Sequence, residues 1–417
     1  MKVFGDFHIH IGRAGNGKPI KITASKDLTF ANIVYEAANK KGLNMIGIID
    51  CHSPYVQEDI IKFLEEDMAY EQKEGGIIYE DKICVLLGAE VETIYKKENG
   101  IGCAHNICFF KYLKDIMAFS KELSNYLKNI TLSTQHTSLT GYELYNLASK
   151  YNGILIPAHI FTPFKSYYGN CTDRLEKVFK EKYDNITAVE LGLSADTNYA
   201  DMIRELDKKV FLTNSDAHSL PKIAREYNEF ELENISFESF KKAVTSNDDK
   251  KNHIVKNYGM NPKLGKYNRT YCDGCSSLSE IVVVDRKLKS GKVKKENVCK
   301  KCGSKKIAKG VEDRIMEIAD GKSISPKNRP EYIYQIPIEF MPGIGKKTFE
   351  KILDLYGTEM NVLHNVTYES LEKQLGKDIA KNIIEAREGR LKISSGGGGN
   401  YGKIAKKERN LKTFEKI

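Results

Sequence analysis

Through the first 250 residues, short apolar runs alternate with stretches in which apolar positions recur every three or four residues. The runs Val3–His8, Met45–Asp50, Ile83–Glu92, Ile101–Phe110, Ile154–Ile160, Ala188–Leu193 and Val210–Ser215 read as strands. The stretches Thr29–Lys41, Tyr142–Tyr151, Asp173–Tyr183 and Tyr199–Lys208 read as amphipathic helices between them. Strands separated by helices imply crossover connections, hence an α/β domain with a largely parallel sheet. Their number and length suit a barrel better than a small open sheet. The pattern breaks at the polar run SNDDKKNH, which places the end of the first domain at residue 252. Residues 262–312 are rich in Cys and Lys and poor in large apolar side chains. A helical pattern returns over 313–395, and the Gly-rich, basic tail 396–417 reads as flexible. No internal repeat longer than a single motif is present.

A chain of 417 residues with 41% hydrophobic content can bury a sizeable core and divides into two or three domains. No apolar run is long enough to cross a bilayer as a helix, so no membrane partner is expected. The start MKVFGDFHIH has no apolar segment of the signal-peptide kind, and a cytoplasmic location is the expectation. Nine cysteines, an odd number without an export signal, argue against a disulfide framework. Cys51, Cys84, Cys103, Cys108 and Cys171 stand singly, mostly in apolar runs, and read as small buried hydrophobes. The net charge of +9 is unevenly spread: residues 251–417 hold 35 Lys and Arg against 20 Asp and Glu. The front of the chain is therefore acidic, as carboxylate metal ligands require, and the back is basic, as a polyanion partner requires.

The histidines give the front half its chemistry. Seven of nine precede residue 219. Asp6, His8 and His10 alternate at the end of the first strand, which puts them on one face. Asp50 and His52 follow the second strand, Glu90 and Glu92 end the third, and His105 lies in the fourth. His159 ends the fifth strand, and Asp216 and His218 follow the last. One such histidine would be an ordinary core or surface residue, but a series at strand ends converges on one rim of a barrel. Mixed imidazole and carboxylate donors suit zinc, manganese or iron better than calcium or magnesium. There are more donors than one ion needs, so two or three divalent ions are expected, with zinc, manganese and magnesium as the candidates. His136, His253 and His364 lack such company and read as ordinary.

The segments HIH at 8–10, DCH at 50–52, GAE at 88–90, PAH at 157–159 and SDAH at 215–218 resemble the motifs of the PHP (polymerase and histidinol phosphatase) domain. The resemblance covers about residues 1–250. It implies a distorted (βα)7 barrel that holds up to three metals and hydrolyses phosphoesters. Carried over by motif, one metal takes His8, His10, Glu90 and Asp216. A second shares Glu90 and adds His105 and His159, and a third uses His52 and His218. Many relatives place another histidine a few residues after HIH, where this chain has IGRAGNGK. The third site then lacks a ligand or draws on Asp6 or Asp50. Asp216 is the expected catalytic residue, a ligand that also orients the nucleophile.

Cys272-x2-Cys275 and Cys299-x2-Cys302 are two knuckles with ribbon spacing, which bind one structural zinc through four thiolates. Around them lie Arg286, Lys287, Lys289, Lys292, Lys294, Lys295, Lys300, Lys301, Lys305 and Lys306, a candidate phosphate-contacting surface. FMPGIGKKTFEKIL at 340–353 looks like a helix-hairpin-helix. Gly343 and Gly345 allow the tight turn, and Lys346 and Lys347 add charge at a helix N-terminus that can grip DNA backbone. LGKDIAKNIIEAREG at 375–389 is a weaker second copy.

The order of PHP domain, four-cysteine zinc ribbon and helix-hairpin-helix is similar to that of the endonuclease Q family, over nearly the whole chain. That resemblance implies a DNA repair endonuclease acting as a monomer on double-stranded DNA with damaged bases. It would cut 5′ to uracil, hypoxanthine, xanthine or an abasic site, leaving a 3′-hydroxyl and a 5′-phosphate. A sliding clamp is a candidate partner, although the tail LKTFEKI is too loose a match to a clamp-binding box. Phe161, Tyr167 and Tyr168, after His159, are the candidate stacking residues for a flipped base. The alternatives are a PHP phosphatase or exonuclease without lesion preference, and a non-catalytic DNA-binding scaffold.

Overall fold

A computed structural model of the chain describes residues 1–98, 100–265, 267–287 and 293–390, and two short paired strands at 393–394 and 403–404. The rest of the tail 396–417 lies outside the described residues, as do Lys289 and Lys292.

The architecture grows from strands buried on both faces. β1 (Lys2–Ile9) is covered at every residue after Lys2, and β2 (Met45–Ile48) throughout. β3 (Ile83–Lys97) is a 15-residue strand whose last residues alone reach solvent. The series continues with β4 (Gly100–Phe110), β5 (His136–Thr140), β6 (Ile154–Pro157), β7 (Ala188–Glu190), β8 (Val210–Leu212), β9 (Tyr227–Glu231) and β10 (His253–Gly259). β1, β2 and β3 pair in parallel, and β3, β4 and β6 in antiparallel fashion. β9 lies antiparallel to β1, and β7 is parallel to β8. The ring closes through a few contacts: Ile160 N donates to Glu190 O at 2.9 Å, Ala217 N to His8 O at 3.0 Å and His10 N to Ala217 O at 3.2 Å. Val3, Phe7, Met45, Leu86, Ile107, Phe109, Ile156, Val210 and Leu212, from β1, β2, β3, β4, β6 and β8, fill the interior. This is the barrel that the strand and helix alternation predicts.

The helices start where local chemistry satisfies their free N–H groups. Thr140 and Glu143 form a reciprocal capping box before the helix Gly141–Lys150. The expected helix Tyr199–Lys208 does not form. That segment breaks into the single turns Thr197–Ala200 and Arg204–Leu206. Arg204 donates to Lys322 O, and Arg329 Nε to Asp201 Oδ1 at 3.0 Å, so tertiary bonds hold the backbone in turns.

The expected boundary at 252 falls just before β10, which extends the barrel sheet antiparallel to β9. β11 (Glu331–Tyr334) adds parallel to β10. The cysteine segment is thus inserted between two strands of one sheet. After β11 come the helices Lys346–Tyr356, Glu359–His364, Tyr368–Leu375 and Lys377–Arg387. They dock on the barrel through a buried Lys41–Glu359 ion pair and through His364, stacked on Phe4 at 4.4 Å. Among the described residues, no helix is long and apolar enough to cross a membrane.

Candidate metal centre and active site

The register of β1 against β2 shifts between Asp6 and Ile9. Val3 and Phe7 below the shift, and His8 and His10 above it, consequently share the interior. Glu90 continues the inward face of β3 set by Leu86, and His105 that of β4. His159 and Asp216 sit just past their strand ends with positive φ, 29° and 47°, conformations that ordinary residues adopt only when held. Arg225 holds the second: its Nε donates to Ser215 O at 2.7 Å and its Nη2 to Asp216 O at 3.3 Å. Gly192 leaves room for the first, because a Cβ there would meet His159 Cβ at 2.8 Å.

Two donor sets result. In the first, Asp216 Oδ1 lies 3.5 Å from His8 Nε2 and 3.6 Å from His10 Nε2. In the second, Glu90 Oε1 lies 3.4 Å from His159 Nε2 and 2.8 Å from His105 Nδ1. Glu90 joins them, 3.5 Å from both His8 Nε2 and His10 Nε2. Donors bound to one tetrahedral ion at about 2.0–2.1 Å stand about 3.3–3.4 Å apart. Most of these spacings match that edge. His8 Nε2 and His105 Nδ1 are buried and make no hydrogen bond, as expected of nitrogens aimed at an ion rather than at a partner. The residues therefore fit two divalent ions sharing Glu90.

Each imidazole is oriented through its other nitrogen. His8 Nδ1 bonds Glu190 Oε2 at 2.8 Å, and His10 Nδ1 bonds Asp50 Oδ2 at 3.1 Å. His105 Nε2 faces Glu92 Oε2 at 3.4 Å, and His159 Nδ1 faces Thr162 Oγ1 at 3.2 Å. Burial disfavours charge on His8, yet Glu190 and Asp216 outweigh it and raise its pKa well above the usual value. For His10, burial and the nearby Lys21 prevail and lower it to about 4. Burial pushes Asp216 up, but the imidazoles of His8, His218 and His10 more than reverse this and hold its carboxyl well below the ordinary range.

The other expected ligands are placed differently. His52 Nε2 faces Leu132 O at 3.3 Å, and His218 Nδ1 faces Asp216 O at 3.0 Å. Neither joins a set of three ligand atoms among the described residues. Asp6 joins neither set and accepts from Ser215 N and Ala224 N, each at 3.0 Å. His136, read as ordinary, bonds Glu92 Oε1 at 2.8 Å near Cys103, but Lys165 Nζ already stands 2.6 Å from that carboxylate. Glu190 was missed because its only signal is an acid at the end of a short strand.

A cavity of about 390 Å³ opens beside Asp216, lined by His159, His218, Lys222, Arg225 and Tyr267 among others. Tyr167 and Tyr168, the expected stacking residues, do not reach it. Both are fully buried, hydrogen-bonded to Asn106 and Glu205, and Phe161 packs on Tyr168 in the core. Phe164 of the same loop is instead exposed and meets Tyr267 edge-on at 5.8 Å.

Away from the rim, the four thiols of Cys272, Cys275, Cys299 and Cys302 converge, with 3.6 Å between Cys272 and Cys302 and 3.8 Å between Cys275 and Cys299. Sulfurs on one tetrahedral ion at about 2.3 Å stand about 3.8 Å apart, so this set fits a single thiophilic ion. In the helical region Gly343 has φ 88°, and Lys346 and Lys347 are exposed in the first turn after Gly345. Gly376, at φ 87°, makes a turn before Lys377–Arg387, and Asn382 Nδ2 of that helix donates to Pro342 O, beside the first turn, at 2.9 Å.

No family model matches the chain. It is 43% identical over 407 residues to the uncharacterised protein YqxK of Bacillus subtilis, covering 97% of this chain and 99% of that one. The crystal structure of the lesion-specific endonuclease PfuEndoQ from Pyrococcus furiosus superposes with a TM-score of 0.79 at 32% identity, over 99% of this chain and 97% of that one. Endonuclease Q in complex with a 27-mer duplex carrying an abasic lesion at the active site matches with a TM-score of 0.79 at 31% identity, over 98% and 97% of the two chains. With two converging donor sets on a barrel rim, a four-thiol segment and similarity along nearly its whole length, the chain belongs to the endonuclease Q family of DNA endonucleases.

Proposed function

We propose that this protein acts as a monomer on double-stranded DNA and cuts the phosphodiester bond 5′ to a deaminated base (uracil, hypoxanthine or xanthine) or an abasic site. The products are a 3′-hydroxyl and a 5′-phosphate. The observation that carries this reading is the pair of donor sets joined at Glu90 directly beside the 390 Å³ cavity. A nucleotide turned out of the helix can enter that cavity while its 5′ phosphate lies on the rim. Turning out costs least where base pairing is already weakened.

Divalent ions held at the two sets supply a water-derived nucleophile at neutral pH and offset charge on the phosphoryl oxygens. Asp216 keeps Oδ1 toward His8 and His10, leaving Oδ2 to orient the attacking water. Lys222 and Arg225 place positive charge on the cavity wall, where a phosphate and a base carbonyl both need it. Phe164 and Tyr267, at the cavity mouth, are suited to stack on a base or fill the gap it leaves. A zinc ion on the four cysteines and phosphate contacts from Lys346 and Lys347 would hold the flanking duplex.

A nicking assay tests the reading. End-labelled duplexes with one uracil, hypoxanthine or abasic site are compared with an undamaged duplex. A single cut 5′ to the lesion, absent from the control, is the expected result. Equal degradation of all duplexes would leave a nuclease without lesion preference.

A further inference from the structure

One charged group stands inside the rim and belongs to neither donor set. Lys21 lies on the loop after His10, and that loop folds back over its own start. Lys21 N donates to Ile11 O at 2.9 Å, Ile20 N to Gly12 O at 3.0 Å, and Ser133 N to Ile20 O at 3.0 Å. These bonds pin the lysine above the cluster with 15% of its side chain exposed. Its Nζ donates to Thr134 Oγ1 at 2.7 Å and lies 3.4 Å from Glu90 Oε2. Thr134 Oγ1 in turn donates to the same carboxylate oxygen at 2.5 Å, from a backbone held at φ 47°. The ammonium charge reaches His10, Asp50, His52, Glu90 and His105.

This is the corner where His52 and Asp50 stand; His52 Nδ1 and Asp50 Oδ1 are buried there without a hydrogen-bond partner, as an ion site would require, but no ligand triad forms among the described residues. Both oxygens of Glu90 are already engaged. Oε1 faces His8, His105 and His159, and Oε2 faces His10, Thr134 and Lys21. A dication entering the corner would meet a fixed positive charge with only partial screening.

We propose that Lys21 is a built-in cation that fills the third corner of the centre and excludes a third ion, a role that rests on the metal-centre reading above.

The test counts ions and measures how tightly they are held, so it does not depend on turnover. Full-length protein is loaded with Zn²⁺, desalted and analysed for metal per chain, and Mn²⁺ affinity is measured by competition with a chromogenic chelator. Wild-type protein should carry two ions at the rim and one on the cysteines. Lys21→Arg keeps that number, whereas Lys21→His, which offers a donor beside His52, gains one ion. Lys21→Met should bind Mn²⁺ about tenfold more tightly, because a repelling charge has gone. A lysine that merely supported the loop would give weaker binding in Lys21→Met instead, and that result would overturn the proposal. So would a third rim ion in wild-type protein, or an unchanged count in a folded Lys21→His. Only the cysteine-bound ion in every variant would defeat the metal-centre reading itself, a result distinguishable from the others by the missing rim ions.

Discussion

The barrel rim and the cysteine segment are both built for metal, and they are built in opposite ways. At the rim, donors from residues 8 to 216 are brought together by strands buried on both faces, and each imidazole is braced by a second partner. In the segment, all four donors lie within residues 272–302, two at strand ends and two in the turns that follow, and the strand Ile281–Lys287 between them is mostly exposed, Val283 at 61% for example. The rim exists before an ion arrives because the barrel core has already paid its ordering entropy. Among its described residues the segment has almost no core besides Cys272, Val298 and Cys299, so an ion held by the four thiols would supply the folding energy. An ion would thus be a reagent in one place and a core in the other.

The sharpest way to break this contrast is at Asp216. Asp216→Asn should lower single-turnover nicking of an abasic duplex by about a thousandfold or more while DNA affinity is retained. A similar loss of the chemical step in Cys272→Ser, with bound DNA saturating, would make the segment part of the reaction and erase the distinction. Chelation comes next. Treatment with 1,10-phenanthroline should leave the barrel's circular dichroism intact while opening the segment 272–302 to proteolysis. Joint melting of both would show that the rim too needs its ions to fold.

Glu190→Gln sharpens the account of bracing. Losing the carboxylate on His8 Nδ1 should weaken rim metal binding about 10–100-fold with the fold unchanged. The smallest effect concerns pH. Burial raises Glu226 from its ordinary 4.5 to about 8. The folded state then keeps a proton that the unfolded chain releases, so this group's stability is fully present below 4.5 and is lost as pH rises toward 8. The slope is at most about 1.4 kcal/mol per pH unit. Thermal denaturation across pH 5–8 should show wild-type protein declining more steeply than Glu226→Gln, and parallel curves would mean that Glu226 ionises freely.

The donors that converge were legible because barrel strand ends share one rim, so a histidine or acid at each end announces a common site, although His52 and His218 join neither set. Glu190, Lys21 and Arg225 carried no such mark. Glu190 reaches His8 from a strand 182 residues further along, Arg225 reaches Asp216 through the fold of the connection they share, and Lys21 reaches Glu90 only because its loop turns back. His136 gave no signal because its partner Glu92 is 44 residues away. Tyr167 and Tyr168 were misread for the opposite reason. An aromatic pair after a ligand suggests stacking, yet the loop buries that pair and turns Phe164 outward.

The sequence by itself determined the alternation that makes a barrel, the strand-end donors and the two cysteine knuckles, since each depends on periods of a few residues. Only the tertiary structure decided how many ligand sets those donors form. It did so by bulging β1, by holding His159 and Asp216 at positive φ and by setting an ammonium in the third corner. Those choices depend on which side chains meet across the closed ring, and no local pattern along the chain encodes that meeting.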